Sequence, residues 1–475
     1  MSSRDEPLSV SGSAGIGARG GELLGRLLGP TSASIWLVLG LLLVLTMMST
    51  VLSRGLSGYA SGPSSLALVG GLGVLCVFAL AFSFYEGAAV LGFALLGIAR
   101  VEPAPPDLIF ASLMIVAALT GRFKTDQLPS IIAVLLSVLV ALNIVSFVDV
   151  VDPVFAVRFV AITAYLIALA VWLTGYARSQ RRVRAIIAAY VWGAVVMSAI
   201  SSLALFVGFP GSELFLFGGS ARAQGLFKDP NVFGPFLVPA ILVLIEELFE
   251  PRLLKAGRFT KSVALGVLLV GLLASFSRAA WLNAALAIAI LFLVHALRRG
   301  GARRAMALVS LLAVMGAALV LVVAVTGSSD FIAGRAQFQS YDVGRFGAQR
   351  TGFGLVAQHP LGIGPGQFDL WSEQAAHSIY VRSLAEQGVL GFLVVVLLLV
   401  LTLFLAVRNV ASGRDTYGLG SAVLLGAWCG LLANGLFVDT LHWRHLWIVA
   451  ALIWVGAMAS SASRQERRRA AASGL

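Results

Sequence analysis

Residues 376–407 read AHSIYVRSLAEQGVLGFLVVVLLLVLTLFLAV, and this stretch decides the class of fold. Its last part, from Val389, carries no charge, and about 20 apolar residues are enough for a helix to cross the hydrocarbon core of a bilayer. Its first part closes a polar segment, rich in Arg, Gln, Gly and Ser, that extends over about 327–388. His377, one of only 5 histidines, lies where this segment returns to apolar sequence. A titratable imidazole at such a boundary is the strongest indication of chemistry in the chain.

The composition is that of an integral membrane protein. Of the 475 residues, 59% are hydrophobic and 12% are charged, whereas soluble domains carry about 25% charged residues. The net charge of +12 comes from short basic clusters between apolar runs, which is typical of cytoplasmic loops and gives no indication of nucleic-acid binding. The two cysteines, Cys76 and Cys429, lie within apolar runs and lack the spacing of zinc ligands. Fully apolar spans of this length predict helices rather than barrel strands.

The charge pattern assigns the loops of the second half to two sides of the membrane. Two apolar segments separate each neighbouring pair of basic clusters, so if every cluster is cytoplasmic, the alternate loops lie outside. The predicted outside loops are 209–231, the turn at 276–279, the long segment 327–388, and 437–445. The basic clusters are Arg178/Arg181/Arg182/Arg184, Arg252/Lys255/Arg258/Lys261, Arg298/Arg299/Arg303/Arg304, Arg408/Arg414 and Arg464/Arg467/Arg468/Arg469.

The first half is predicted to add six spans, near 33–52, 64–83, 86–99, 107–121, 129–147 and 154–175. Asp149 and Asp152 would lie outside, and Arg122 and Lys124 inside. The predicted fold class is therefore all-α and polytopic, with about 14 transmembrane helices or, as the next alternative, about 12, and with both termini cytoplasmic. The predicted division is a flexible cytoplasmic leader (1–31), N-terminal transmembrane helices (32–208), transmembrane helices with arginine-bearing outer loops (209–326), a periplasmic loop with the histidine (327–388), C-terminal transmembrane helices (389–461) and a basic cytoplasmic tail (462–475).

Several arginines contradict the positive-inside rule, because they fall in loops predicted to lie outside. Arg278 lies in a tight turn that contains no acidic residue, and Arg222, Arg345 and Arg350 lie in the longer loops. Each could extend to the outer headgroups or pair locally, as Arg222 could with Asp229. The functional alternative is equally open, because an arginine held at a membrane interface is suited to bind an anion, and phosphate matches its planar fork.

These arginines share the predicted outer face with His377. Three fixed cations, at Arg222, Arg278 and Arg345, would accompany one group that accepts a proton near neutral pH. Such a set suits a diphosphate leaving group and an acceptor hydroxyl that must lose its proton. The structural alternative for His377 is a residue at a helix start, hydrogen-bonded to a carbonyl.

The other histidines give weaker indications. His359 precedes a proline, which favours extended backbone, and His295 lies at a cytoplasmic helix end. His442 and His445 fit the aromatic belt at a membrane interface, but they could also line the same cavity as His377, together with Asp439.

A glycine-rich turn, Gly362-Ile363-Gly364-Pro365-Gly366, precedes His377. Its backbone N–H groups could bind phosphate, although it lacks the Lys-Ser/Thr of a nucleotide-binding loop and follows no strand. The alternative is a tight loop that folds the segment back over the membrane. In the outer loop before it, Asp229-Pro230-Asn231 is expected to start a helix, with Asn231 as the cap or Pro230 in the first turn.

Paired carboxylates of the type Asp-x-Asp or Glu-x-Asp do not occur in the chain. Metal-dependent membrane glycosyltransferases usually need such a pair to hold a divalent ion on a diphosphate. We therefore predict that arginines take this role, with no metal and no other cofactor.

Four segments resemble the O-antigen ligase and polymerase superfamily of bacterial envelope glycan enzymes. They are 222–231, 277–281, Arg345 with 359–366, and 377–380 with 384–391. Their order and spacing around one large outer loop are specific, and the resemblance covers about 222–447. Family members usually carry Asn after the histidine, where this chain has Ser378. The region before about residue 200 matches only in hydrophobicity.

The resemblance implies a multi-pass enzyme of the bacterial inner membrane, with a fold of the lipid-linked-sugar glycosyltransferase type and an active site that faces the periplasm. It implies transfer of a glycan from undecaprenyl diphosphate to an acceptor hydroxyl on a glycan or on lipid A-core. By resemblance, His377 is the general base, and Arg222 and Arg278 hold the donor diphosphate. An inverting displacement fits, since no carboxylate nucleophile is evident. The further expected substrate contacts are Arg345, Arg350, Gly364 and Tyr380.

Other functions remain open at this stage. A ligase, a polysaccharide polymerase and a protein O-oligosaccharyltransferase of the same superfamily share donor and site. A transporter of an anionic lipid-linked substrate belongs to a different class, and it would need charges at the bilayer midplane and often broken helices in matched halves. Intramembrane charge is sparse here, with Arg158 an exception near the start of a span, so the enzyme is favoured.

Overall fold

In the computed structural model, the described residues are 74–218, 222–297 and 340–472, with the isolated positions 306, 309, 310, 313 and 316. The predicted leader (1–31) and the predicted span near 33–52 lie outside this part of the chain. The span near 64–83 and the segment 327–388 are described only in part. Among the described residues the regular elements are helices, and there is no β-strand beyond isolated bridges. The prediction of an all-α polytopic membrane protein is confirmed.

Fourteen helices, numbered here in chain order, make up the described part of the chain. Short 3₁₀ turns extend three of the connections, at Leu95–Gly97, Ser146–Asp149 and Ser212–Phe215. The helices are α1 (Val74–Ser83), α2 (Tyr85–Ala94), α3 (Pro105–Leu119), α4 (Ser130–Val145), α5 (Pro153–Tyr176), α6 (Gln180–Phe206), α7 (Pro230–Phe249), α8 (Arg258–Ala274), α9 (Arg278–Leu297), α10 (Ser340–Gln358), α11 (Phe368–Trp371), α12 (Ile379–Ala411), α13 (Ser421–Asn434) and α14 (Arg444–Ala472).

Hydropathy located the helices of the first half to within a few residues. Helices α2 to α5 coincide with the spans predicted near 86–99, 107–121, 129–147 and 154–175. Helix α5 starts where it does because Pro153 fits the first helical turn and the Asp152 carboxylate accepts hydrogen bonds from the Val154 and Phe155 N–H groups, at 2.8 and 3.2 Å. Six described helices (α4 with its 3₁₀ extension, α5, α6, α7, α9 and α12) are long and apolar enough to cross a membrane.

The connections between helices gather at two opposite ends of the bundle. The His377 face comprises 98–104, 146–152, 207–218, 222–229, 275–277, 359–378 and 435–443. The opposite face comprises 120–129, 177–179, 250–257 and 412–420. Contacts join the connections within each face: Lys228 Nζ lies 2.6 Å from Glu102 on the first, and the Gln127 amide donates to the Tyr417 hydroxyl at 3.2 Å on the second. Arg158, the exception noted in the sequence, pairs with Glu102 on the His377 face. These contacts agree with the alternation of loops that the basic clusters predict.

Helix α7 is the central helix of the bundle. The bundle buries 83% of its most apolar 18-residue window, and α7 packs against α6, α8, α9 and α13. Pro230 occupies its first turn, as one alternative predicted. The N-cap, however, is Asp229, whose carboxylate accepts from the Asn231 N–H at 2.8 Å. The alternative with Asn231 as the cap is wrong, because a proline in the first helical position places the cap one residue before it.

The polar segment before His377 contains a helix that its composition did not indicate. Helix α10 occupies 340–358 and contributes to a small core of its own. Helix α12 then begins at Ile379, ten residues before the predicted boundary, and is interrupted at Gly388. The last helix continues to Ala472, so the region predicted as a tail from 462 is helical to that point. The small core consists of Ala348, Leu355, Ile363, Phe368, Ala376, Val381 and Ala385.

Candidate functional site

His377 occupies a fixed turn immediately before helix α12. Its backbone lies in the left-handed region, at φ 45°, which non-glycine residues adopt rarely and at a cost of about 1–3 kcal/mol. The next residues hold the turn against the end of α13, since the Ser378 hydroxyl and the Ile379 N–H both donate to the Gly435 carbonyl, at 3.1 and 3.0 Å. Ser378, not His377, is the helix cap. The imidazole makes no hydrogen bond to any residue that the structure describes.

The surroundings of His377 favour the neutral imidazole. Partial burial of the ring lowers its pKa below the usual value of 6.5, and the positive charge of Arg345 lowers the pKa further. Arg382 acts in the same direction, while Asp229 and Asp369 oppose it. At neutral pH the ring is therefore in the form that accepts a proton.

The two arginine-bearing stretches of the His377 face form one unit. Arg222 Nε donates to the Ser275 carbonyl at 3.1 Å. The Ser277 hydroxyl donates to Asn231 Oδ1 at 2.8 Å, and the Asn231 amide donates to Asp229 Oδ1 at 2.9 Å. Arg278, half-buried, is the first residue of α9 directly after this serine.

Asp229 connects this unit to the histidine. Its negative charge raises the pKa of His377, so the start of α7 lies within electrostatic range of the imidazole. The structure thereby brings Arg222, Arg278 and Arg345 to the same region of the face as His377. Phe276, two residues before Arg278, also has left-handed backbone, at φ 45°. Strained non-glycine backbone thus occurs on both sides of the region, as it often does at functional sites.

Arg345 and Arg350 project from different sides of helix α10. The buried stripe of α10 includes Ala348 and Leu355. At about 100° per residue, Arg345 is about 60–80° from these positions, whereas Arg350 is about 140–160° away. Arg350 is correspondingly exposed, and Arg345 is half-buried. Arg345 is among the charges with the largest effect on the pKa of His377, and Arg350 is not.

The glycine-rich turn before His377 uses its N–H groups within the protein. The Ile363 and Gly364 N–H groups donate to the Ala385 and Glu386 carbonyls, at 2.9 and 3.1 Å. The Gly366 N–H donates to Glu386 Oε2 at 2.9 Å. The N–H groups that phosphate would require are therefore engaged, and this geometry favours the tight-loop alternative for Gly364.

Arg382 and Glu386 form a buried network that the sequence analysis missed. The Arg382 guanidinium contacts Asp369 at 2.9 Å, Asp439 at 3.3 Å and Glu386 at 3.8 Å. Glu386, which is fully buried, also accepts the Phe368 N–H at 3.1 Å. Its sequence signal was present, since an arginine and a glutamate four residues apart on a helix are positioned to pair.

Gln367, a second missed residue, attaches the polar segment to the first half of the chain. Its side-chain oxygen accepts from the Val151 and Asp152 N–H groups, at 3.0 and 2.7 Å, and its amide donates to the Asp152 carbonyl at 2.9 Å. Nearby, His359 Nδ1 lies 3.1 Å from Asp149 Oδ2. No sequence signal distinguishes this glutamine from the other polar residues of the segment.

Three further candidates are held in structural contacts. The Tyr380 hydroxyl donates to the Leu432 carbonyl at 3.1 Å and joins α12 to α13. His442 Nε2 lies 3.0 Å from the Thr163 hydroxyl, and burial lowers the pKa of His442 to about 4. His445 is buried against Trp443.

The described acidic residues near His377 surround Arg382 and are not grouped as metal ligands would be. Within the described residues, no group of three or more His, Cys, Asp or Glu side chains could hold a common metal ion. Metal independence remains a prediction.

Comparison with known proteins adds one match. No curated protein matches the chain. Residues 263–396 match the family model described as O-antigen ligase. The match includes Arg278, Arg345 and His377, and it begins after Arg222, so it is narrower than the resemblance seen in the sequence. Residues 263–396 are therefore similar to an O-antigen ligase domain, which supports the resemblance to the O-antigen ligase and polymerase superfamily.

Proposed function

We propose that the protein is a membrane glycosyltransferase that moves a glycan from undecaprenyl diphosphate to an acceptor hydroxyl, on the periplasmic side of the bacterial inner membrane. The observation that carries the proposal is the half-buried His377, which is held in left-handed backbone within the family-matched residues and whose pKa is lowered by burial and by the charge of Arg345. An unprotonated imidazole on an otherwise cationic face suits a reaction that removes a proton and releases an anion.

In the proposed reaction, His377 takes the proton of the acceptor hydroxyl as the acceptor oxygen attacks the anomeric carbon of the donor sugar. The bond between this carbon and the diphosphate oxygen breaks, and the electron pair leaves with undecaprenyl diphosphate. One displacement inverts the anomeric configuration, and none of the nearby carboxylates is needed as a nucleophile. General-base catalysis of this type contributes about 10²–10⁴-fold to a rate.

The arginines are proposed to stabilise the departing diphosphate. Arg278 extends from the first turn of α9, where the helix dipole also favours an anion. Arg222 lies on the same unit, held at the Ser275 carbonyl. Arg345 would contact the substrate and also keep the imidazole unprotonated. Because guanidinium groups offer paired donors to phosphate oxygens, the proposed reaction requires no metal.

The remaining predicted contacts receive different roles in the proposal. The Gly364 N–H and the Tyr380 hydroxyl already donate hydrogen bonds within the protein. These two residues would therefore support the site without contacting the reacting atoms. Arg350, which is exposed on the far side of α10, would meet only an extended acceptor. The acceptor is a growing glycan for a polymerase, lipid A-core for a ligase, and a Ser or Tyr side chain for a protein O-oligosaccharyltransferase.

The test is transfer by the purified full-length protein in lipid nanodiscs. It receives undecaprenyl-diphosphate glycan and, in parallel, each of the three acceptors. His377→Asn is the variant of choice, since asparagine tolerates left-handed backbone but cannot act as a base. We expect it to lower the transfer rate by about 10²–10⁴-fold and to leave donor binding intact. Arg278→Ala should weaken both donor binding and transfer.

The control is His359→Gln, which removes another histidine of the same segment and keeps a side chain that can bond to Asp149. It should transfer at nearly the wild-type rate. Wild-type transfer by His377→Asn would refute the base assignment, and EDTA-sensitive transfer restored by Mg²⁺ would refute metal independence. A second assay uses the protein in proteoliposomes, which enclose a volume. Movement of labelled donor across their membrane, without any glycan transfer, would instead favour the transporter.

A further inference from the structure

A cationic cavity lies on the opposite face of the bundle, away from His377. Its volume is about 190 Å³, and it opens beside a wider depression at the start of α2. Among the described residues that line it, four are basic, two are tyrosines, and none is acidic. These six are Tyr85, Arg122, Lys124, Tyr176, Arg178 and Arg182.

Four separate parts of the chain converge on this cavity. They are the start of α2, the turn after α3, the end of α5 and the start of α6. The approach of the turn to α5 requires Gly175, because a Cβ at this position would overlap the Lys124 carbonyl oxygen. The cationic side chains are therefore gathered by tight packing, whereas a cytoplasmic charge bias alone requires only that they lie on one side of the membrane.

Aromatic rings orient two of the arginines. The Arg122 guanidinium lies 5.4 Å from the centre of the Tyr85 ring, and the Arg182 guanidinium lies 5.0 Å from that of Tyr176. Both rings are buried and are fixed by Trp172, which donates to the Tyr85 hydroxyl at 2.7 Å and stacks on Tyr176. A guanidinium placed over an aromatic face keeps its N–H edge available to a ligand, as for Arg122. In contrast, Arg182 Nε and Nη1 already donate to Glu86 and to the Tyr176 carbonyl, at 3.2 and 3.4 Å.

The basic residues of the cavity outnumber the acidic residues around it. Glu86 lies at the rim and pairs with Arg182, at 3.2 Å, and with Arg181 outside the cavity. Asp126 pairs with Arg178. Even so, Arg178 Nε is buried and donates to no described residue. Burial also lowers the pKa of the Arg178 guanidinium, so an anion in the cavity would stabilise its charged form.

We propose that this cavity binds a single phosphate group, presented by the headgroup of an anionic phospholipid or by free phosphate. Several convergent guanidinium and ammonium groups match the tetrahedral oxygens of phosphate, and Arg178, which lines the cavity, has a buried Nε without a hydrogen-bond partner among the described residues. The site lies at the other end of the bundle from His377, so it is independent of the proposed glycosyl transfer.

The test compares two matched pairs of substitutions on the same face. Arg122→Gln with Lys124→Gln removes two exposed cations of the cavity. Lys255→Gln with Arg258→Gln removes two exposed cations outside it. Both double variants lose the same charge, so a general attraction between a basic face and anions would affect them equally.

Binding is measured by calorimetry on delipidated full-length protein at constant ionic strength, with inorganic phosphate and with short-chain phosphatidylglycerol in separate titrations. We expect one saturable site in the wild type, at least about tenfold weaker binding in the cavity variant, and a change of no more than about twofold in the control. Thermal unfolding of each variant verifies folding. Arg178→Lys, which keeps the charge next to Asp126, supplies a second and milder variant with the same expected direction.

The two titrations identify the source of the phosphate. Much tighter binding of the lipid assigns the headgroup, and equal affinities assign the phosphate group alone. The proposal is overturned if neither probe binds saturably, or if the cavity and control variants lose the same affinity.

Discussion

Gly388→Ala is the substitution for which the structure gives the clearest expected effect on the His377 segment. Gly388 interrupts α12 with φ 68° and ψ −173°, a conformation available essentially only to glycine. An added Cβ would also overlap the Pro360 carbonyl oxygen and the backbone of Leu361 and Gly362. The interruption is therefore the place where the polar segment rests directly on the backbone of α12.

The size of the effect follows from the backbone strain and the hydrogen bonds at this point. The strain contributes about 1–3 kcal/mol. Three hydrogen bonds depend on the close approach: Val389 N–H to the Pro360 carbonyl at 3.2 Å, and those donated by Ile363 and Gly364. Losing one or two of them costs about 1 kcal/mol each. The total of about 2–5 kcal/mol corresponds to an increase of about 30-fold to several-thousand-fold in the local opening equilibrium.

Hydrogen–deuterium exchange of the full-length protein measures this opening directly. In Gly388→Ala, peptides containing Ile363, Gly364 and Val389 should exchange faster by roughly two orders of magnitude. Gly347→Ala is the matched control, because Gly347 is in α10 with no atom within 4 Å of its added Cβ, and alanine in a helix is favoured by about 0.5–1 kcal/mol. Wild-type exchange in Gly388→Ala, or equal acceleration in both variants, would refute the reasoning.

Two further predictions concern the surroundings of the histidine. Arg345→Gln removes a positive charge that disfavours imidazolium, so the pKa of His377 should rise and the acid limb of the kcat/KM profile should move to higher pH. Arg350→Gln, on the far side of α10, should leave the acid limb in place, and coincident profiles for Arg345→Gln and wild type would contradict the assignment. Gln367→Ala removes three hydrogen bonds to the α4–α5 connection and should lower the free energy of unfolding by about 2–4 kcal/mol. Denaturant unfolding in detergent measures this change, and the exposed Gln358→Ala should stay within about 0.5 kcal/mol of wild type.

The sequence predicted most of the membrane-spanning architecture because length and hydropathy are local properties. The starts of α3 and α5 could be placed almost to the residue, since Pro105 and Pro153 mark first helical turns. Helix α10 could not be predicted in this way. It contains four glycines and little continuous apolar sequence, and it is helical because Ala348 and Leu355 pack into a core formed by residues up to 37 positions later.

The residue types of the candidate site could be predicted from the sequence, but the contacts that hold these residues in place could not. Arg222, Arg278 and His377 could be grouped because charge in an outer loop is visible in the sequence. That Asp229 acts on His377, or that Gln367 reaches Asp152, depends on how α7 and the α4–α5 connection meet the polar segment. The glycine-rich turn shows the reverse, since its pattern suits phosphate but its N–H groups serve the Ala385 and Glu386 carbonyls.

The attachment of Gln367 to the α4–α5 connection limits how this protein can be divided or recombined. Three side chains of the family-matched residues contact a part of the chain outside that match. Gln387 contacts Asn143, His359 contacts Asp149, and Gln367 contacts Asp152. A chimera that exchanges 263–396 between relatives would therefore pack the polar segment of one protein against the α4–α5 region of another, with mismatched contacts. To keep its shape, the exchanged unit must include the connection between α4 and α5, more than 100 residues earlier in the chain.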